Sequence, residues 1–217
     1  MILTVRPVCA QTNGPAIASL RMERPMDGIR PDEAARLEVL ARYDILDTAP
    51  EEAFSDLAIL AAQLCGAPIA LVSLVDAGRQ WFKAAVGIEA AETPRDASFC
   101  AHAIGQPGLF VVPDARVDGR FAANPLVTGD PGIRFYAGSP LVTPDGFGLG
   151  TLCVMDRVPR DLRPEQADAL RALGRQVVSQ LELRRHVAEL RQAVIAATWP
   201  NCGRPSSTAR GRRRRSA

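Results

Sequence analysis

The side chains with the most chemical reach are a thiol and an imidazole two positions apart, in Cys100-Ala101-His102, and a second thiol, Cys153. As a metal pair the first two are weak: residues i and i+2 of a helix point about 200° apart, and no third ligand motif accompanies them. As thiols, Cys100 and Cys153 allow a redox switch if they approach each other, which needs a lowered thiolate pKa and solvent access. The plainer reading is a pair of small buried hydrophobes. Arg134 and Tyr136 leave the same face of an apolar run. A buried arginine needs a partner, either a carboxylate such as Asp114 or Asp118 or an anionic ligand held in the guanidinium fork. Asp118-Gly119-Arg120 reads most simply as a capping or salt-bridge cluster that holds a loop. Triad and paired-carboxylate signatures are not evident. The glycine-rich Gly146-Phe147-Gly148-Leu149-Gly150 lies in a hairpin and does not open a helix, so a phosphate cradle is poorly supported. No catalytic or metal-binding residue is assigned, and the expectation is a protein that is not an enzyme.

These groups need elements to position them. Residues Ile133 to Asp156 contain two apolar runs around Thr143-Pro144-Asp145-Gly146, whose proline, aspartate and glycine suit a chain reversal. Ile133, Phe135, Ala137 and Leu141 are expected on one face of the first strand; on the second, Leu149, Thr151, Cys153 and Met155 oppose Leu152 and Val154. Apolar residues on both faces call for cover on both sides of the sheet. Upstream, Pro31-Asp32-Glu33 opens a helix with Leu37, Leu40 and Ala41 as its stripe. Thr48-Ala49-Pro50-Glu51 has the capping-box pattern for a second helix with Phe54, Leu57, Ala61 and Leu64 inward and Gly66 as its stop. A buried strand over Ile69 to Val75 and a returning strand over Gln80 to Val86 follow. Ser98 then caps a short helix, and Leu109 to Val112 is another strand. Residues 115 to 132 form a long connection of the kind that often binds ligands. A helix from about Pro164 to Ala197 closes the pattern. Its second half carries a narrow apolar seam at Val187, Leu190 and Val194 that suits a two-helix contact, the alternative being a solvated helix folded back on its own domain.

At 217 residues the chain suits one domain with tails. The net charge is +2, but Arg210 and Arg212 to Arg215 supply five positives, and without them the remainder carries −3. A mildly acidic body argues against nucleic-acid binding, and the arginine run reads as a solvated tail. The five cysteines are odd in number and widely spaced, with no Cys-x-x-Cys pair, which argues against a disulfide framework or a zinc site. Leu57 to Val75 is uncharged over nineteen residues, yet Gly66-Ala67-Pro68 divides it into a core helix and a core strand, each too short to span a bilayer. Ile2 to Leu20 lacks the pattern of a secretory signal. No membrane association is expected and the compartment expected is the cytoplasm. Residues 1–30 and 199–217 read as disordered tails, and Met22 or Met26 are alternative starts.

Six motifs in order then carry a family resemblance: Tyr43-Asp44-Ile45-Leu46-Asp47-Thr48, Arg79-Gln80-Trp81-Phe82-Lys83, Ser98-Phe99-Cys100-Ala101-His102, Asp118 to Phe121 with Asn124-Pro125, Arg134-Phe135-Tyr136-Ala137-Gly138, and Gly150-Thr151-Leu152-Cys153-Val154. They closely resemble bacterial GAF domains, specifically the sensory subgroup found ahead of histidine kinase or diguanylate cyclase output domains. The resemblance implies an α/β (α+β), PAS-like fold: a central antiparallel sheet of about five or six strands, helices on both faces, and long terminal helices. It implies a GAF domain over 31–187 with 188–198 extending the C-terminal signalling helix. No output domain follows, which suggests a free-standing or truncated sensor. By motif position, Cys100, His102, Asp114, Asp118, Arg120, Phe121, Asn124, Arg134, Tyr136 and Cys153 are the candidate ligand-binding residues. An unidentified small molecule, a homodimer partner through Val187, Leu190 and Val194, and a histidine kinase or diguanylate cyclase are the implied partners; no cofactor is identified. Bilin attachment, as in phytochrome GAF domains, is poorly supported because Ala101 intervenes between Cys100 and His102. The clustered cysteines of GAF-fold methionine sulfoxide reductases have no recognisable counterpart here. Two other readings stay open: a thiol-based redox protein using Cys100, and a ligand-free dimerisation domain whose pocket is filled by Phe99, Phe121, Phe135 and Tyr136.

Overall fold

A computed structural model describes residues 32–198. The tails expected to be disordered, and Pro31, lie outside the described residues. Asp32 caps the first helix, α1 (Glu33–Arg42), by accepting from the Ala35 amide at 3.1 Å. Its inward face is Arg36, Val39 and Leu40; of the expected stripe only Leu40 is buried. Helix α2 (Glu52–Cys65) ends at Gly66 in the left-handed region, φ 59°, as its sequence suggests. Its start differs from the expected capping box. The Glu51 carboxylate receives Lys83 at 2.7 Å and Arg184 at 3.0 Å, while the Thr48 hydroxyl donates to the Ile45 carbonyl, so neither side chain caps the helix. Leu64, expected inside, is 51% exposed because the buried face runs through Phe54, Ala58, Ala61 and Cys65.

Six strands form one antiparallel sheet: β1 (Ile69–Val75), β2 (Arg79–Val86), β3 (Glu92–Pro94), β4 (Phe110–Val112), β5 (Phe135–Val142) and β6 (Gly148–Asp156). Their order is β3-β2-β1-β6-β5-β4, which puts β1 and β6 in the centre and the short β3 and β4 at the edges. The segment around Glu92 supplies the β3 edge because its backbone pairs with Arg79 to Trp81. The expected reversal forms, with the Gly146 amide donating to Thr143 O at 2.9 Å. A register shift at Leu141/Val142 pairs Leu141 with Gly150 and Val142 with Gly148. The extra residue, Leu149, therefore packs with Leu152 and Val154 and not with Cys153, contrary to strict alternation. Ile133 lies before β5 begins and joins the core opposite Phe135.

The two sheet faces are covered differently. One carries α1, α2 and the first half of α5 (Pro164–Thr198), whose Leu170, Val177 and Leu181 are buried in the larger core. The other carries α3 (Phe99–Ala103), α4 (Pro125–Thr128) and their connecting loops. Ser98 caps α3 by accepting from the Ala101 amide at 3.0 Å. Beyond Leu181 the apolar seam of α5 turns to solvent: Leu183, Val187, Leu190 and Val194 are exposed, in 4-3-4 spacing.

Candidate functional site

The face covered by short elements holds a cavity of about 490 Å³. Its floor is the sheet. Ile69 and Leu71 of β1, Phe82 of β2 and Met155 of β6 present apolar side chains, and Gln80 presents its amide. Phe99 and Cys100 of α3 and Tyr136 of β5 form the inner wall; Leu126 of α4, Ile133 and Ile88 close the sides. Charged groups stand among the loop residues: Glu89 and Asp130, and Arg157, whose Nε donates to the Pro131 carbonyl at 3.0 Å. Thr93 of β3 also lines the cavity, and its hydroxyl oxygen is buried without a hydrogen-bond partner. A ligand atom there would satisfy it.

Behind the wall lies a buried polar cluster centred on Cys100. Its sulfur receives Thr151 Oγ1 at 3.0 Å, Gln80 Nε2 at 3.2 Å and Tyr136 OH at 3.3 Å. Ser73 meets Thr151 from the directly paired position on β1, at 3.3 Å, and Ser98 donates to the Gln80 carbonyl oxygen. Cys153 Sγ is 3.7 Å from Cys100 Sγ. Burial acts to raise the Cys100 thiol, but bonds from Cys153, Ser73, Thr151 and Tyr136 outweigh it and hold the group below the usual thiol range. Cys153 is pushed well above that range, first by its bond with Cys100 and then by burial. Gly138 makes this geometry possible: a Cβ there would stand 2.2 Å from the Tyr136 hydroxyl and 2.8 Å from its ring, so only glycine lets the ring fold across the strand toward Cys100.

The candidate residues chosen by motif therefore divide. Cys100 and Tyr136 line the cavity, and Cys153 backs Cys100. Phe121 stacks on Phe99 at 4.1 Å, while Phe99 stacks with Tyr136 at 5.2 Å, and Phe121 is absent from the lining. His102 is exposed with its ring edge on Phe121. Asp118 binds Arg120 through two bonds of 2.9 and 2.6 Å, and Arg120 lies over the Phe110 ring at 4.7 Å. Asp114 binds Arg116 in the same fork geometry. Each aspartate is held below the usual carboxylate range, chiefly by its arginine bond. Asn124 caps α4 through Leu126 N at 2.9 Å and ties it to the Ala97 carbonyl. Arg134 donates to backbone carbonyls, Val127 O at 2.7 Å and Ile133 O at 3.1 Å, which gives its guanidinium a partner that neither sequence alternative named. Among the described residues, no three His, Cys, Asp or Glu side chains converge as a metal site.

The lining residues Gln80 and Thr93 and the cluster members Ser73 and Thr151 were not singled out from sequence. Ser73 left a signal, as the one polar residue in the strand IALVSLV. Thr93 left none, because its place depends on the β3 edge.

Comparison with known proteins gives this architecture a family. The GAF domain profile matches residues 49–181. A cyclic di-GMP phosphodiesterase of Pseudomonas aeruginosa is 46% identical over 129 residues, covering 59% of this chain and 22% of the relative. The chain thus spans about a fifth of that relative's length. This finding corrects the expectation of a protein that is not an enzyme: the shared stretch belongs to a relative named as a cyclic di-GMP phosphodiesterase. Among solved structures, the GAF domain of an Acinetobacter phosphoenolpyruvate-protein phosphotransferase superposes with a TM-score of 0.54 at 15% identity, covering 73% of this chain and 97% of that one. A domain from a Sinorhizobium meliloti protein described as a two-component sensor histidine kinase gives 0.52 at 18% identity, covering 67% and 99%. At those identities the likeness is one of fold. None of the described helices is long and apolar enough to cross a membrane. With a family match over more than half of its length, the chain belongs to the GAF domain family.

Proposed function

We propose that this domain senses a small, largely apolar molecule and passes its occupancy through α5 to a signalling output, either an enzyme of cyclic-dinucleotide turnover or a kinase. The observation that carries the reading is the 490 Å³ cavity, with apolar walls and a few convergent polar groups at Gln80, Thr93 and Cys100. Its charges favour a neutral or cationic ligand, since Glu89 and Asp130 stand against Arg157 alone. A cyclic dinucleotide carries two phosphates and suits that lining poorly, so we assign such a substrate to an output domain and not to this cavity. The ligand-free reading is less well supported. Phe99, Phe121 and Tyr136 stack beside the cavity and leave it open, while Phe135 packs in the opposite core. The exposed seam at Val187, Leu190 and Val194 supports pairing of α5 with a second copy. Ligand binding would shift that pairing through different affinities for two helix arrangements. We place the domain, over 31–187 with the helix extension 188–198, in the cytoplasm, free of nucleic acid and membrane.

Native mass spectrometry of freshly purified protein tests both parts. The expected species is a dimer with a reproducible extra mass; Leu126→Trp removes the extra mass, and Val187→Glu with Leu190→Glu gives a monomer that keeps it. A bare wild-type monomer overturns the proposal.

A further inference from the structure

The thiol pair behind the cavity has a geometry that ligand binding does not require. Cys100 and Cys153 come from separate elements, α3 and the central strand β6, yet their sulfurs are 3.7 Å apart. A disulfide is about 2.05 Å long, so about 1.6 Å separates the two thiols from bonding. Cys153 is fixed, since β6 pairs with β1 on one side and β5 on the other, at Leu71 and Gly138. Cys100 sits on a helix of five residues. The short helix is the part that can give.

The two residues also differ in position: both are buried, at 1% and 0% exposure, but Cys100 belongs to the cavity wall and Cys153 does not. Three donors aim at the Cys100 sulfur: the Thr151 hydroxyl, the Gln80 amide and the Tyr136 hydroxyl. A neutral thiol is a weak acceptor, and three donors on one sulfur suit a thiolate. Cys65 is the internal contrast. It is buried, and its burial pushes the thiol up.

We propose that Cys100 and Cys153 form a modification site at which a hydroperoxide small enough to enter the cavity converts the two thiols to an intramolecular disulfide. The Cys100 thiolate attacks one peroxide oxygen. The O–O bond breaks, and the leaving oxygen takes a proton and departs as water, or as the alcohol of an organic hydroperoxide. Cys100 is then a sulfenic acid. The Cys153 sulfur attacks the Cys100 sulfur, the S–O bond breaks, and the hydroxide leaves as water with the Cys153 proton. Two thiols lose two electrons in all and the peroxide gains them. Closing the bond draws α3 toward β6 and carries Phe99 with it, so oxidation reshapes the inner cavity wall. This site goes beyond the proposed ligand binding and does not depend on the ligand's identity.

The test is a titration of the reduced full-length protein with hydrogen peroxide, followed by peptide mapping of every cysteine. The expected product is a peptide pair linked through Cys100 and Cys153, formed roughly tenfold or more faster than any oxidation of Cys65. In Cys153→Ala, Cys100 accumulates as a sulfenic acid that dimedone captures; in Cys100→Ala, Cys153 stays reduced. The proposal is overturned if wild-type Cys100 and Cys153 remain unlinked while other cysteines oxidise. Modification of Cys153 in Cys100→Ala overturns the assigned order of attack. The wild-type map decides the disulfide even if a variant fails to fold.

Discussion

The two faces of the sheet handle buried polarity differently. On the face under α1, α2 and α5, the buried cations Arg36 and Lys83 are tied to carboxylates and carbonyls, and Arg185 of α5 is joined to Glu182 and Glu189, although its Nε has no partner. Lys83 has no side-chain exposure and donates to Thr48 Oγ1, Ala49 O and Glu51 Oε1 at 2.7–2.8 Å, with the Phe54 ring 5.4 Å below. Glu51 in turn holds Arg184, which also donates to the Tyr43 and Asp44 carbonyls where α5 leaves the domain. On the face under α3 and α4, polar groups converge on a sulfur beside an open cavity, and Thr93 is left without a partner. Long helices can press a continuous apolar stripe onto a sheet. Short helices and loops cannot, so that face keeps space. The difference separates a filled face from one that keeps a cavity.

The largest test of this contrast is to truncate one apolar residue on each. Phe54→Ala should cost roughly 3–5 kcal/mol, because this α2 residue is 1% exposed in the larger core. Met155→Ala borders existing space and should cost about 2 kcal/mol or less. Urea denaturation measures both, and equal costs would mean that the faces are packed alike. A smaller effect is expected from Gly138→Ala, at about 1–3 kcal/mol. Its decisive readout is local: the new methyl displaces the Tyr136 hydroxyl and should lower the reactivity of Cys100 toward a thiol reagent. An unchanged rate would remove Tyr136 from the account of the cluster.

The smallest effect concerns the join between the faces. Glu33 binds Arg36 of α1 through two bonds and Arg95, beside β3, through one of 2.6 Å. The Arg36 bond, reinforced by Arg95, lowers its carboxyl from 4.5 to about 2. As pH falls, the unfolded chain takes up the proton first, so the clamp's contribution is complete above about 4.5 and lost as pH falls through about 2. Glu33→Gln should therefore lower stability at neutral pH by about 1 kcal/mol or less and flatten the curve in that acid window. Thermal melts from pH 2 to pH 7 check the sign.

Much of this molecule was legible locally. The strand at Ile69–Val75, the cap at Ser98, the stop at Gly66 and the reversal at Thr143-Pro144-Asp145-Gly146 depend on residues next to each other, so the sequence states them directly. The apolar seam at Val187, Leu190 and Val194 was equally plain, since a repeat along one helix needs no other element. The motif residues of the site were only partly legible. A motif says which residues recur together, whereas cavity lining depends on which loop lies over which strand; Cys100 and Tyr136 reach the cavity, while Asp114, Asp118 and Arg120 stay in their own loop.

Sequence alone determined the order of the longer helices and strands, the Ser98 cap, the Gly66 stop and the six motifs, because capping, turn chemistry and periodicity act over a few residues. Tertiary structure alone decided that Glu51 and Thr48 serve Lys83 and not the helix start, and that a shifted register turns Leu149 to the other core. It also decided that thiols 53 positions apart meet at 3.7 Å. Each of these joins residues distant in the chain, and their spacing is set by strand order and helix placement, which no local preference encodes.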